Sequence, residues 1–178
     1  MALKMQGSVN VDAPREEVWA LLFDTQFLQQ VINKIPGITV EKIVQVAEDK
    51  FEASATMGVA MVKGKYDGTI SVLEKRTPEF VKFRGDGKGG GNWTSGEMGL
   101  TLVDQGGKTV LTYDGSGNVS GALASVGQRL IDTVGKQFVQ HGTKAFAEEI
   151  AARTRATRGA AQQPAVAPVK SPRSNPLV

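Results

Sequence analysis

Apolar and polar positions alternate, imperfectly, through "LKMQGSVNV", with Leu3, Met5, Val9 and Val11 in step, which predicts a strand near the start of the chain. It runs into "DAPREEVWALLF", where Asp12 suits a helix cap and Pro14 a first helical turn. A second short helical pattern, "TQFLQQVINKI", begins after Asp24-Thr25 and is stopped by Pro36-Gly37. The two helices are expected to form a corner. From Gly37 to Asn118 the chain changes to short runs rich in β-branched and aromatic residues: "ITVEKIVQV", "KFEASATMGV", "VKGKYDGTISVLEK", "EFVKFRG", "NWTSGEMGLTLVD" and "KTVLTYDGSGNV". Short turn-forming links such as Thr77-Pro78 and Gln105-Gly106-Gly107 join them, so six consecutive strands are expected to form an antiparallel meander.

After Ser120 the period changes again. Leu123, Val126, Leu130, Ile131, Val134, Phe138, Ala145 and Phe146 recur at three- and four-residue steps, which predicts one amphipathic helix about 45 Å long at 1.5 Å per residue. It fades through "RTRATRG" into "AAQQPAVAPVKSPRSNPLV", where Pro164, Pro168, Pro172 and Pro176 fall every fourth residue. Such a composition forms no core. The domain is therefore placed at 1–153, with 154–178 a basic, proline-rich, disordered tail. A bent seven-stranded sheet cannot fill its own concave side, and only the long helix is available to do so. The expected architecture is α+β: a seven-stranded curved antiparallel sheet gripping a long C-terminal helix, two short helices after strand one, and space between sheet and helix.

Composition adds exclusions. A length of 178 residues suits a single domain, and no apolar run approaches the length of a bilayer span. The N-terminus lacks the pattern of a signal peptide, which places the protein in the cytoplasm. Zero cysteines remove disulfides, thiolate nucleophiles and thiolate metal sites together. The net charge of +3 hides a split: Arg153, Arg155, Arg158, Lys170 and Arg173 stand without an acid in 151–178, leaving 16 basic against 18 acidic residues in 1–150. A basic tail suits an anionic partner, and it equally suits a merely solubilising end.

The candidate chemistry begins with "GDGKGGGNW", which contains G-x-G-x-x-G at Gly85, Gly87 and Gly90. That fingerprint binds pyrophosphate when its glycines lead from a strand into a helix whose N-terminus faces the phosphates. Here "NWTSGEMGLTL" follows, which has no helical period. The nucleotide reading is set aside for a long, flexible glycine-rich hairpin, with Trp93 at its exit placed to close over a cavity. His141 is the only histidine, so a two-histidine metal site is excluded; its place at the edge of the apolar stripe suits a packed residue or a ligand contact. No carboxylates pair by spacing. No catalytic residues and no metal site are expected. Gly127, Gly135 and Gly142 sit within the helical pattern beside Ile131 and Phe138, each costing about 1 kcal/mol against alanine. Glycine on an inward face admits close approach, either of the sheet or of a flat ligand. The expected cavity lining on the helix is Val126, Gly127, Leu130, Ile131, Val134, Gly135, Phe138 and His141. On the sheet it is Met57, Met61, Tyr66, Phe83, Trp93 and Met98, with Val62 a further wall candidate and methionine suited to irregular shapes.

The segments "GSVNVDAPREEVWALLFDTQFLQQVINKIPG", "KGKYDGTISV", "GDGKGGGNWTSGEMGLTL" and "LASVGQRLIDTVGKQFVQ" resemble the G-subunit proteins of carbon monoxide dehydrogenase, members of the helix-grip superfamily that includes START lipid-transfer domains and polyketide cyclases. The resemblance covers roughly residues 2–150 and rests most on "AP-x-x-x-VW", the glycine hairpin and "G-x-RLID". It implies an accessory protein, peripheral on the inner face of the cell membrane, for a carbon monoxide dehydrogenase or related molybdenum hydroxylase complex. It also implies a cavity for a hydrophobic small molecule, and it supplies no catalytic residues. No covalent cofactor is expected. A respiratory quinone is the candidate ligand, and the anionic partner of the tail is then the membrane surface rather than nucleic acid, with Arg153, Arg155, Arg158, Lys170 and Arg173 as contacts. The alternative is a recruitment module with no ligand, and the superfamily also permits a cyclase-like or hydrolytic enzyme.

Overall fold

The computed structural model describes residues 2–59 and 62–162. Strand β1 (Ala2–Val11) leads into helices α1 (Arg15–Leu21) and α2 (Thr25–Ile32). Then come β2 (Ile38–Ala47), β3 (Lys50–Val59), β4 (Val62–Arg76), β5 (Phe80–Gly89), β6 (Asn92–Asp104) and β7 (Thr109–Gly121), a 3-10 turn over Ala122–Val126, and helix α3 (Gln128–Gln162). The strand order is β1-β7-β6-β5-β4-β3-β2 with every pair antiparallel. Six strands thus form the expected meander, and β1 closes onto the last of them, Val11 opposite Thr109 and Ala2 opposite Asn118.

The caps show how the early helices are set. Pro14, not Asp12, occupies the N-cap of α1 and offers no side-chain acceptor; Glu16 and Glu17 in the first turn face the positive helix end instead. At α2, Asp24 accepts from the Phe27 amide at 3.0 Å, as a capping carboxylate does. The corner they make is packed under one end of the sheet. Phe27, Val18 and Val11 are almost wholly buried there with Val81, Leu102 and Ile150, and Phe27 meets Phe146 of α3 edge-on at 5.6 Å. Lys34, just after α2, pairs with Glu149, and the Arg153 guanidinium lies 4.7 Å from the Phe27 ring centre while bonding the Gln30 side chain. α3 continues to Gln162, so residues 154–162, which composition assigns to the tail, are helical, and Thr154 is buried.

The sheet folds sharply where inward positions carry no side chain. Gly68 pairs with Gly87, and Gly96 lies between Gly85 and Gly117 across β5, β6 and β7. A Cβ on Gly96 would stand 2.9 Å from the Ser116 carbonyl oxygen, and one on Gly117 3.0 Å from that of Ser95. Neighbouring backbone has moved over the inner face there, a closeness that only glycine admits. The result is a sheet bent around the first half of α3.

Candidate functional site

Core packing fills only the end of the concave face beneath α1, α2 and the second half of α3. At the other end lies an apolar cavity of about 180 Å³, walled by Leu3, Met57, Val62, Tyr66, Thr94, Val119, Leu123, Val126, Leu130, Ile131, Val134 and Gly135. The register explains this set. Leu3 on β1, Val119 on β7, Thr94 on β6, Tyr66 on β4 and Met57 on β3 share the inward parity of their strands, and Leu130, Ile131 and Val134 form the facing stripe of α3. None of the described wall residues is charged.

One polar knot ties this end together. Asn92, 6% exposed at the start of β6, gives both amide hydrogens, to the Tyr66 hydroxyl oxygen at 3.2 Å and to the Gly90 carbonyl at 3.1 Å. Its Oδ1 accepts from the Leu123 amide at 2.7 Å. A single side chain therefore joins the β5–β6 turn, strand β4 and the 3-10 turn whose Leu123 and Val126 close one side of the cavity. Among the described residues, no group of three or more potential metal ligands occurs.

The family model for CoxG, the G subunit of carbon monoxide dehydrogenase, matches residues 7–151, which spans both the packed core and the cavity. The chain belongs to this family. No curated protein sequence matches it. Among solved structures, a conserved protein from Geobacillus kaustophilus is 33% identical, with a TM-score of 0.74 over 83% of this chain and 95% of that one. The Zhui aromatase/cyclase from Streptomyces sp. R1128 is 16% identical, with a TM-score of 0.66 over 88% and 98%. A START superfamily protein from Mycobacterium smegmatis is 14% identical, with a TM-score of 0.62 over 83% and 97%. The last two share the START-like, helix-grip fold that the resemblance implied.

In this CoxG family member, Met57, Tyr66, Val126, Leu130, Ile131, Val134 and Gly135 come together around the cavity, with Val62. Phe83 does not join them; it packs with the core, its ring 5.9 Å from that of Phe23. Met98 sits beside Gly115, whose added Cβ would be 2.8 Å from the Met98 sulfur, and is outside the wall. Gly127 is not inside α3: with φ of 98° it separates the 3-10 turn from the helix. Gly135 makes room for the Leu3 side chain, which an added Cβ would meet at 2.8 Å, whereas at Gly142 a Cβ would only touch Ile35, at 3.5 Å. Phe138 falls between those two contacts and is 44% exposed, and His141 is exposed beyond it. Met61 lies outside the described residues, as do Lys170 and Arg173, and the side chain of Arg158 is not described. Arg155 is exposed, whereas the guanidinium of Arg153 is occupied by Phe27 and Gln30. No helix among the described residues is long and apolar enough to cross a membrane.

The glycine hairpin differs most from expectation. β5 and β6 pair to the last rung, Gly89 opposite Asn92, and the connection is the two-residue turn Gly90-Gly91 with φ of 57° and 76°. Two positive φ values in a two-residue hairpin are the requirement of a type I′ turn, which glycine meets without strain. What reads as a long loop is therefore strand. Strand parity then decides Trp93: with Asn92 inward, Trp93 points to the outer face, 59% exposed, and cannot cover the cavity.

That outer face carries a separate polar groove of about 590 Å³, in which Trp93 is joined by Ser54, Asp67, Asp86 and Lys88. Ion pairs span the strands here: Lys65 with Glu41 at 3.0 Å and Lys82 with Glu97 at 2.9 Å. The hydrogen bond from Lys65, then that from Thr56, holds the Glu41 carboxyl below its ordinary range. Because the folded value is the lower one, stabilisation from this pair is present above the ordinary carboxylate range and is lost as pH falls through the lowered value. The Glu41 carboxyl carbon in an NMR titration should thus show a midpoint below 4.5, moving up in Lys65→Met and at high salt. A midpoint unmoved by Lys65→Met would remove the pairing as its cause.

Proposed function

We propose that this protein is an accessory component of a molybdenum-containing carbon monoxide dehydrogenase or a related molybdenum hydroxylase. Its cavity binds a hydrophobic molecule, with a respiratory quinone as the candidate, and its basic C-terminal segment brings the enzyme to the membrane. The observation that carries this reading is the apolar cavity between sheet and α3, uncharged and unfilled among the described residues, in a chain of the CoxG family. An apolar cavity near 150 Å³ accepts benzene. A space of about 180 Å³ therefore suits a ring system, with any long tail leaving through the mouth. A dehydrogenase that feeds a respiratory chain must pass electrons to a carrier held in lipid, and a protein that lifts the carrier's ring from the bilayer meets that need. Basic residues beyond the domain add about 1 kcal/mol each near anionic headgroups.

Hexane extraction of the purified protein, followed by mass spectrometry, should yield a lipophilic molecule, and quinone should transfer from vesicles to the protein. Val134→Phe, which places a ring in the cavity, is expected to reduce that uptake at least about tenfold while leaving the fold intact by circular dichroism. No co-purifying molecule and no uptake would defeat the reading. Removal of residues 163–178 separates the two roles. Sedimentation with vesicles containing phosphatidylglycerol should fall, while uptake from detergent micelles by the folded body persists. Loss of neither would show that the tail has no part in membrane attachment.

A further inference from the structure

We infer that the cavity selects a neutral molecule whose polar end is an oxygen acceptor, received by the hydroxyl of Tyr66. This rests on the reading of the cavity as a binding site. Tyr66 is only 9% exposed, and among the described wall residues it and Thr94 are the two whose side chains carry an oxygen or nitrogen. The Thr94 hydroxyl already donates to the Gly87 carbonyl at 3.5 Å. The Tyr66 oxygen accepts from Asn92, and the phenolic proton has no acceptor among the described residues. Asn92 cannot take that proton: its two amide hydrogens face Tyr66 and Gly90, and its one acceptor atom faces the Leu123 amide. A buried donor left unmade costs more than a typical hydrogen bond gains, so a ligand oxygen placed here is favoured over a bare hydrocarbon.

The same wall rejects charged heads. Among the described residues of the wall, a carboxylate would find no Lys, Arg or His and an ammonium no Asp or Glu, so either would enter the apolar space unpaired. The ligand class that remains has a flat apolar frame with a carbonyl or ether oxygen at one end. Because Asn92 fixes both the Tyr66 hydroxyl and Leu123, the group that receives the head is tied to the segment that closes the wall.

The test uses the full-length protein and three probes of one shape: 2-methyl-1,4-naphthoquinone, 2-methylnaphthalene and 2-naphthoate, with affinities from equilibrium dialysis. Wild type should prefer the quinone to methylnaphthalene by about fivefold to tenfold, the worth of one neutral hydrogen bond, and bind naphthoate least. Tyr66→Phe should abolish the preference through lost quinone affinity, while Trp93→Phe on the outer face keeps it. In wild type, a quinone carbonyl stretch moved to lower frequency in the infrared on binding gives the same answer without a variant. If methylnaphthalene binds but Tyr66→Phe keeps the preference, or the carbonyl stretch stays unshifted, the head assignment is overturned and the cavity reading survives. Naphthoate binding as tightly as the quinone would do the same. If neither neutral probe binds wild type, the cavity reading falls with it.

Discussion

Asn92→Ala is expected to lower the unfolding free energy by about 2–4 kcal/mol, far more than its place beside an exposed turn suggests. Three hydrogen bonds vanish together, and the Leu123 amide and the Gly90 carbonyl lose the partner that satisfies them inside the fold. Asn92→Asp separates the contributions, since it keeps an acceptor for Leu123 but loses both donors. Urea denaturation read by far-ultraviolet circular dichroism measures the totals, and amide exchange at Leu123 reads the local part. Exchange there should rise in Asn92→Ala by more than at Val81, in the core. A loss below about 0.5 kcal/mol would place Asn92 among ordinary surface positions.

Gly96→Val is expected to cost as much or more. Its Cβ would meet the Ser116 carbonyl at 2.9 Å and the Gly117 Cα at 3.2 Å, both backbone atoms of a paired strand that cannot swing aside as a side chain could. Two further methyl carbons on an inward position would push β7 away from β6 at the bend. Overpacking alone typically costs 1–3 kcal/mol, and here the ladder between the two strands is strained as well, so about 3 kcal/mol or outright failure to fold is expected. Gly85→Ala is the control: the same β5–β6–β7 row, but nothing within 4 Å of its added Cβ. It should be nearly neutral. If the two substitutions cost the same, close approach is not what keeps glycine at position 96.

These positions show what the sequence discloses and what it conceals. Strands with apolar inward residues, such as "KFEASATMGV", are legible because two chemical types alternate, and the stripe Leu130, Ile131, Val134 is legible at helical spacing. Where the inward residue is glycine the contrast disappears. Yet "GDGKG" has the strand period, glycine inward at Gly85, Gly87 and Gly89 with Asp86 and Lys88 outward. Read that way, the parity would have carried on through the Gly90-Gly91 turn and set Trp93 outside. Leu3, Thr94, Val119 and Leu123 were missed for another reason. Alternation says that a residue faces in, but only the pairing of β1 with β7 says which inward residues lie over the cavity and which over the core. Phe138 looks no different from Ile131 on a helical wheel. Its exposure follows from where the neighbours Leu3 and Ile35 happen to touch α3.

The closing of β1 onto β7 also bears on how the chain comes to be folded. Six of the seven strands find their neighbour by a short hairpin, but β1 waits for a partner about a hundred residues downstream, and the core around Phe27 waits for Phe146 and Ile150. On a ribosome adding about 5–20 residues per second, β1 stands without its partner strand for several seconds, whereas α2 meets β2 as soon as that strand emerges. Closing a loop of that length costs more conformational entropy than closing any of the hairpins. The apolar residues of β1 are therefore exposed for longer in a newborn chain than those of the meander, which meet their partners as they emerge.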